Sequence, residues 1–387
     1  MITDAIVQSA SGPKKLKVMT VVGTRPEIIR LAPTIKRLDR FMNQVLVHTG
    51  QNYDYALNEV FFEDLGLRKP DYFLEADTSS LGTVLGSILV GIEKALKAER
   101  PDAFLILGDT NSSIAAVIAK RMKIPVFHME AGNRSFDENV PEETNRRLVD
   151  HVADYNLVYT EHARRNLLRE GIHASRIVLT GSPMREVLEA NAKGIDSSDV
   201  VAQQALTKQG YFLVSLHREE NVDNPARLSS VLSALSSIAA IYRLPVLVST
   251  HPRTRLRLED QPLELKSELT FHPPFGFHDY VKLQKSAKLV LSDSGTISEE
   301  SSILGFPAVT LRDWTERPES IDAGAIITTG VGTEAILDSV AIALAQFSED
   351  GRPTVPEEYR ISDTSRRVVN FIRSSVASHA ERLGIRD

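Results

Sequence analysis

Pro125-Val126-Phe127-His128-Met129-Glu130-Ala131-Gly132-Asn133-Arg134, followed after a short polar loop by Val140-Pro141-Glu142-Glu143-Thr144-Asn145-Arg146-Arg147-Leu148-Val149-Asp150-His151, decides how this chain folds. An apolar run ends in a glutamate. A proline-started helix then carries two more glutamates in its first turn. Strand followed directly by helix is the repeating unit of a parallel α/β sheet. Carboxylates, arginines and histidines gathered at a strand's carboxyl end lie where such sheets keep their chemistry.

The same alternation runs outward in both directions. Short apolar runs predict strands over Lys17–Val22, Gln44–His48, Ala103–Leu107, Pro125–His128, Asn156–Tyr159 and Ile177–Thr180. Longer patterns over Pro26–Leu38, Leu81–Lys97 and Ser112–Met122 predict helices between them. Residues Glu189–Gln209 have no strong period, and the alternation then restarts. Its second set of strands is Tyr211–Leu216, Pro245–Ser249, Leu289–Leu291, Ala308–Leu311 and Ala325–Thr328. The expected organisation is α/β with two doubly wound domains: a mobile leader over 1–16, a first domain over 17–188, a linker over 189–209 and a second domain over 210–363. A last helical stretch, Thr364–Arg382 within 364–387, could pack back on the first domain. Two such sheets leave a cleft between their carboxyl-edge loops.

Composition narrows the function classes. The 387 residues carry 45 basic and 51 acidic side chains, a net charge of −6, so no global basic field argues for nucleic acid. Cysteine is absent, which excludes disulfides, thiolate metal sites and a cysteine nucleophile, and suits a reducing cytoplasm. No apolar run approaches the roughly 20 residues of a membrane span, and 1–16 lacks the apolar stretch of a secretory signal. No metal-ligand spacing and no Gly-x-Ser-x-Gly elbow occur.

Each motif at a strand end has a structural reading beside a functional one. Gly23-Thr24-Arg25-Pro26-Glu27 opens a helix. It offers an anion pocket from backbone N–H groups and Arg25, or is simply a tight turn. Asp109 in Gly108-Asp109-Thr110 caps a helix or joins Glu130 at the same sheet edge. Glu142 with Arg146, and Glu143 with Arg147, have the spacing of local ion pairs on a solvated helix face, which leaves Glu130 unexplained. His217, directly after a strand in Ser215-Leu216-His217-Arg218-Glu219-Glu220-Asn221, is favoured as a site residue over a structural one. Ser294-Gly295-Thr296 starts a helix suited to a diphosphate, and Glu300 follows one to two turns on, within reach of ribose hydroxyls. A Ser-x-x-Glu capping box is the alternative.

In this order the motifs resemble the non-hydrolysing UDP-N-acetylglucosamine 2-epimerase family, over roughly residues 17–375. They are Gly-Thr-Arg-Pro-Glu at 23, Gly-Asp-Thr at 108, Glu-Ala-Gly at 130, Pro-Glu-Glu-x-Asn-Arg at 141, His217-Arg218-x-Glu220-Asn221, Asp-Ser-Gly at 293 with Glu299-Glu300, and Thr-Glu-Arg-Pro-Glu at 315. The resemblance implies two Rossmann-like domains in the glycosyltransferase-B arrangement, a homodimer and no cofactor. It implies inversion at C2 of a UDP-sugar: UDP is eliminated to give 2-acetamidoglucal and is added back after reprotonation on the other face. Asp109, Glu130 and Glu142 match the family's catalytic acids, and His217 its histidine near the diphosphate. Arg25, Arg146, Ser294, Gly295, Glu300 and Arg317 match its nucleotide-sugar ligands. Arg30 stands where lysine is common, and Thr296 where glycine is usual. Gln51-Asn52-Tyr53-Asp54 departs from the Gln-His-x-Glu pattern that lines an allosteric site in some bacterial members.

The substrate expected first is UDP-GlcNAc, interconverted with UDP-ManNAc for cell-envelope polysaccharide precursors. Several motifs resemble instead a sub-branch acting on UDP-2-acetamido-2,6-dideoxy-L-talose, the UDP-N-acetyl-L-fucosamine synthases. A glycosyltransferase of the same architecture, or a sensor that binds without turnover, are the readings from other classes.

Overall fold

Continuous apolar runs, rich in valine, leucine and isoleucine, are buried on both faces and make the strands, as parallel sheets require. The computed structural model describes residues 15–51, 55–138, 140–250, 252–258, 261 and 268–385. The leader expected over 1–16, residues Asn52, Tyr53 and Asp54, and His251 fall wholly or mostly outside them.

The first sheet holds β1 (Lys17–Val22), β2 (Asn43–His48), β3 (Tyr72–Phe73), β4 (Ala103–Leu107), β5 (Val126–Met129), β6 (Tyr155–Val158) and β7 (Ile177–Leu179), in the order β3-β2-β1-β4-β5-β6-β7. The second holds β8 (Phe212–Leu216), β9 (Val246–Thr250), β10 (Leu269–His272), β11 (Leu289–Ser292), β12 (Ala308–Thr310) and β13 (Ile327–Thr328), in the order β10-β9-β8-β11-β12-β13. Every described pairing is parallel. The architecture is α/β, two doubly wound Rossmann-like sheets. Strand order reverses between β1 and β4 and again between β8 and β11, and crevices for ligands open at such reversals.

Three expectations need correction. Tyr72–Phe73 and Leu269–His272 are strands that the apolar pattern does not reveal, because each is a short edge strand with little to bury. Ser112–Met122 is not one helix: a 3₁₀ turn over Asn111–Ala115 precedes the α-helix Ala116–Arg121. The aperiodic stretch Glu189–Gln209 is itself helical in short pieces, Ala192–Ser197 and Val200–Gln203. Pieces of four and six residues are too short to show a period.

The chain passes between the sheets twice. It leaves the first through the helix Met184–Ala190 and the short helices after it. After β13 and the helix Thr333–Asp350 it returns as the helix Thr364–Val376, whose Val368, Val369 and Ile372 join Val18, Ile28 and Leu31 in the first sheet's core. Phe277 and Val281 from the second sheet's side enter the same core. No described helix is long and apolar enough to cross a membrane.

Candidate active site

The turn after β1 opens the helix Arg25–Phe41, and Glu27 in its first turn folds back over it. The backbone N–H groups of Gly23 and Thr24 donate to Glu27 Oε2 at 2.6 and 2.9 Å, and the Thr110 hydroxyl donates to Oε1 at 2.5 Å. The turns after β1 and β4 are thereby joined across the strand reversal. Burial pushes the Glu27 carboxyl up to about 7 against these hydrogen bonds, with the Asp109 charge adding to the rise.

Asp109 follows Gly108, which needs its left-handed φ of +74°, and accepts from Arg146 Nε at 2.6 Å. Arg146 projects from the helix Pro141–Val152 and also meets Glu143 at 3.2 Å. Glu130, just past β5, takes a φ of +65°, an unusual conformation for a side chain of its size. Arg30 donates to one of its oxygens and Arg317 Nη2 to the other at 2.6 Å. The same Arg317 nitrogen lies 3.0 Å from Glu299 Oε1, while Ser182 donates to the far oxygen of Glu299. Burial works against the Glu130 carboxylate, but the charges of Arg30, Arg317 and Arg146 outweigh it and hold the group below its ordinary range. Glu142 is the opposite case. Burial, and then the neighbouring Asp109 charge, raise its carboxyl against the pull of Arg218 and Arg146.

On the facing edge, His217 ends the β8 strand run with Nδ1 at 2.8 Å from Asp293 Oδ1. The Asp293 carboxylate also accepts the backbone N–H groups of His217, at 3.0 and 3.1 Å, and of Arg218 at 2.9 Å. These contacts overcome burial and keep Asp293 ionised below its usual range. The Ser294 and Thr296 hydroxyls lie 3.0 Å apart before the helix Ile297–Leu304. A side chain at Gly295 would come within 2.7 Å of Glu316 Oε1, so only glycine leaves room there. Glu316 is ringed by Arg312 at 2.6 Å, Arg218 at 3.1 Å and Arg146 at 3.8 Å. Despite burial, those three cations hold it well below the carboxylate range.

The fold therefore gathers Arg30, Asp109, Glu130, Glu142 and Arg146 from the first sheet with Arg317 from the second. His217 and the Ser294-Gly295-Thr296 turn flank the second sheet's reversal. Glu300 accepts from the Gln284 amide at 2.5 Å, and burial raises its carboxyl against the Gln284 and Thr296 hydrogen bonds. Arg25 lies over Phe61, 5.8 Å from the ring centre. Glu316, Glu299, Arg218 and Arg312 adjoin this cluster but were not given as site residues from sequence. The first three stand inside the quoted motifs, and Arg312 stands four residues before Glu316, a spacing that alone reads as a local ion pair.

The family model for UDP-N-acetylglucosamine 2-epimerase matches residues 36–373. The structure of UDP-N-acetylglucosamine 2-epimerase from Rickettsia bellii is 44% identical, covers 96% of this chain and 100% of its own, and superposes with a TM-score of 0.90. That of Methanocaldococcus jannaschii UDP-GlcNAc 2-epimerase, in complex with UDP-GlcNAc and UDP, is 37% identical with a TM-score of 0.86, covering 93% of this chain and 100% of its own. A Pseudomonas aeruginosa relative, UDP-2,3-diacetamido-2,3-dideoxy-D-glucuronate 2-epimerase, is 37% identical over 87% of this chain and 94% of its own length.

Proposed function

The chain belongs to the UDP-N-acetylglucosamine 2-epimerase family, and from that premise we propose that it is an isomerase interconverting UDP-GlcNAc and UDP-ManNAc. The observation that carries the reading is the contrast between Glu130 and Glu142. One is held ionised by two arginines and the other is pushed toward its protonated form by burial and Asp109. Carboxyls with opposed environments divide the work of base and acid. Glu130 takes the proton from C2 of the sugar as the C1–O bond to UDP breaks. The electron pair of the C–H bond becomes the C1–C2 double bond of 2-acetamidoglucal, and the leaving diphosphate keeps the C1–O pair. Glu142, beside Asp109, returns a proton to the opposite face of C2 while UDP adds back at C1.

The departing diphosphate needs positive charge and N–H donors. His217, Arg146 and the Ser294-Gly295-Thr296 turn supply them, with Arg25, Arg30 and Arg317 completing the cation set and Glu300 serving the nucleoside side. No redox cofactor enters this chemistry. A first domain over 17–188 and a second over 210–363, joined by 189–209, would close on the substrate between them. Homodimer assembly and a cytoplasmic location belong to the same reading, as does supply of precursors for cell-envelope polysaccharide. The relatives named above act on UDP-GlcNAc or on a diacetamido uronate. They therefore favour UDP-GlcNAc over the 6-deoxy-L-talose compound.

Proton NMR of the protein with UDP-GlcNAc in D2O tests the proposal. The expected result is loss of the C2–H signal together with the appearance of UDP-ManNAc. UDP-GlcNAc that keeps its C2–H and its configuration under turnover conditions would overturn it.

A further inference from the structure

Asp109, Glu130 and Glu142 sit on three separate elements, and nothing in the chemistry above explains what fixes their mutual positions. Beneath them lies a buried pair that the mechanism does not use, His128 in β5 and Asp150 in the helix Pro141–Val152. Their exposures are 1% and 0%. His128 Nε2 is 2.8 Å from the Gly108 carbonyl oxygen, and Nδ1 is 2.9 Å from Asp150 Oδ1. Both partners are acceptors, so the ring bridges the turn after β4 to the helix Pro141–Val152. The Asp150 carboxylate further accepts the Gly132 N–H at 3.1 and 3.2 Å and Arg134 Nη1 at 2.8 Å. Arg134 pairs in turn with Glu170 at 2.7 Å, which carries the set out to the part-exposed Glu170.

Each end of this set grips backbone next to a reacting carboxyl. The Gly108 carbonyl immediately precedes Asp109. The Gly132 amide lies two residues past Glu130, whose φ of +65° is a conformation that persists in a non-glycine residue only where surroundings enforce it. Asp150 is one helical turn from Arg146, on the same face, so one helix reaches this turn in three ways: the Asp109 carboxylate through Arg146, the Asp109 carbonyl through Asn145 Nδ2 at 2.9 Å, and the Gly108 carbonyl through Asp150 and His128. We infer that His128 and Asp150 are positioning residues. Together they set the Asp109 and Glu130 carboxyls in register with the helix that carries Glu142, without touching substrate. The inference rests on the proposed C2 epimerisation for its kinetic consequence, though not for its geometry.

Two substitutions separate positioning from mere stability. His128→Leu fills the space and deletes both links; His128→Gln restores a donor toward the Gly108 carbonyl. Because His217 and the Ser294-Gly295-Thr296 turn, assigned above to the diphosphate, lie on the second sheet, His128→Leu should lower kcat about a hundredfold, the scale of a 1 Å misplacement, while KM for UDP-GlcNAc and the Kd for UDP stay within about threefold. His128→Gln should recover about tenfold of the lost kcat. A His128→Leu kcat within about threefold of wild type would overturn the inference, as would loss of UDP binding in parallel with turnover in a variant that still folds. Should that variant fail to fold, Asp150→Asn, which keeps an acceptor for Gly132, is held to the same criteria. If the wild-type protein leaves UDP-GlcNAc unchanged, the proposed reaction fails, and crystal structures of wild type and variant decide the inference by themselves. Asp109 and Glu130 carboxyls that move apart by about 1 Å support it, and unchanged positions refute it.

Discussion

Glu130 and Glu142 differ by nothing in covalent structure, so their opposed behaviour comes entirely from what surrounds them. Replacing either by glutamine removes proton transfer while keeping size and hydrogen-bonding capacity. Glu130→Gln and Glu142→Gln are each expected to lower kcat at least about a hundredfold, the range lost with a general acid or base. Steady-state rates of UDP-ManNAc formation check this, and near-normal rates in both would remove the carboxyls from the mechanism. Glu27 gives a prediction about pH. Its carboxyl rises from an ordinary 4.5 to about 7 in the fold, so the folded chain binds the extra proton between those values. The resulting stabilisation is complete below about pH 4.5 and is lost as pH rises through 7, amounting to at most about 3 kcal/mol. Glu27→Gln does not titrate. Its melting temperature should gain on the wild type as the buffer goes from pH 5 to pH 8, and a difference that stays flat across that range would count against a buried, proton-holding Glu27.

Among the elements, the strands flanking the two reversals were legible because both of their faces are buried, which leaves an unbroken apolar run to read. Lys17–Val22 and Ala103–Leu107 are bounded in the structure as the sequence predicts. The edge strands Tyr72–Phe73 and Leu269–His272 gain no such signature, since half of their surroundings is solvent or loop. The site was legible to a similar depth. Asp109, Glu130 and His217 stand at strand ends, where position follows from local pattern. The Glu130–Arg317 pair joins residues 187 apart, and such a contact depends on how the sheets meet rather than on any spacing. The turn after β5 carries its own prediction. Gly132 has φ of +79°, and a methyl group there would come within 2.4 Å of the Ala163 carbonyl oxygen. Gly132→Ala should therefore cost about 2 kcal/mol or more and lower the melting temperature by several degrees. An unchanged melting curve would mean that the turn can relax around a side chain.

At the scale of the molecule, Arg317 is the centre of the bridge between sheets: it meets Glu130 of the first and Glu299 of the second with a single nitrogen. Alanine in place of Arg317 abolishes both contacts. Arg317→Ala is expected to raise the radius of gyration of the free protein in small-angle X-ray scattering and to lower turnover at least about a hundredfold. Equal radii would show that apolar packing around Phe277 and Val281 suffices to hold the sheets together. The return of the chain after β13, ending in the helix seated on Val18, Ile28 and Leu31, has a mechanical outcome. A plate held to another by a single strap can both swing and spin, whereas two separated straps leave only the swing. In the closure proposed above, the two crossings would leave only rotation about the line between them, carrying Arg317 back to Glu130 along one arc.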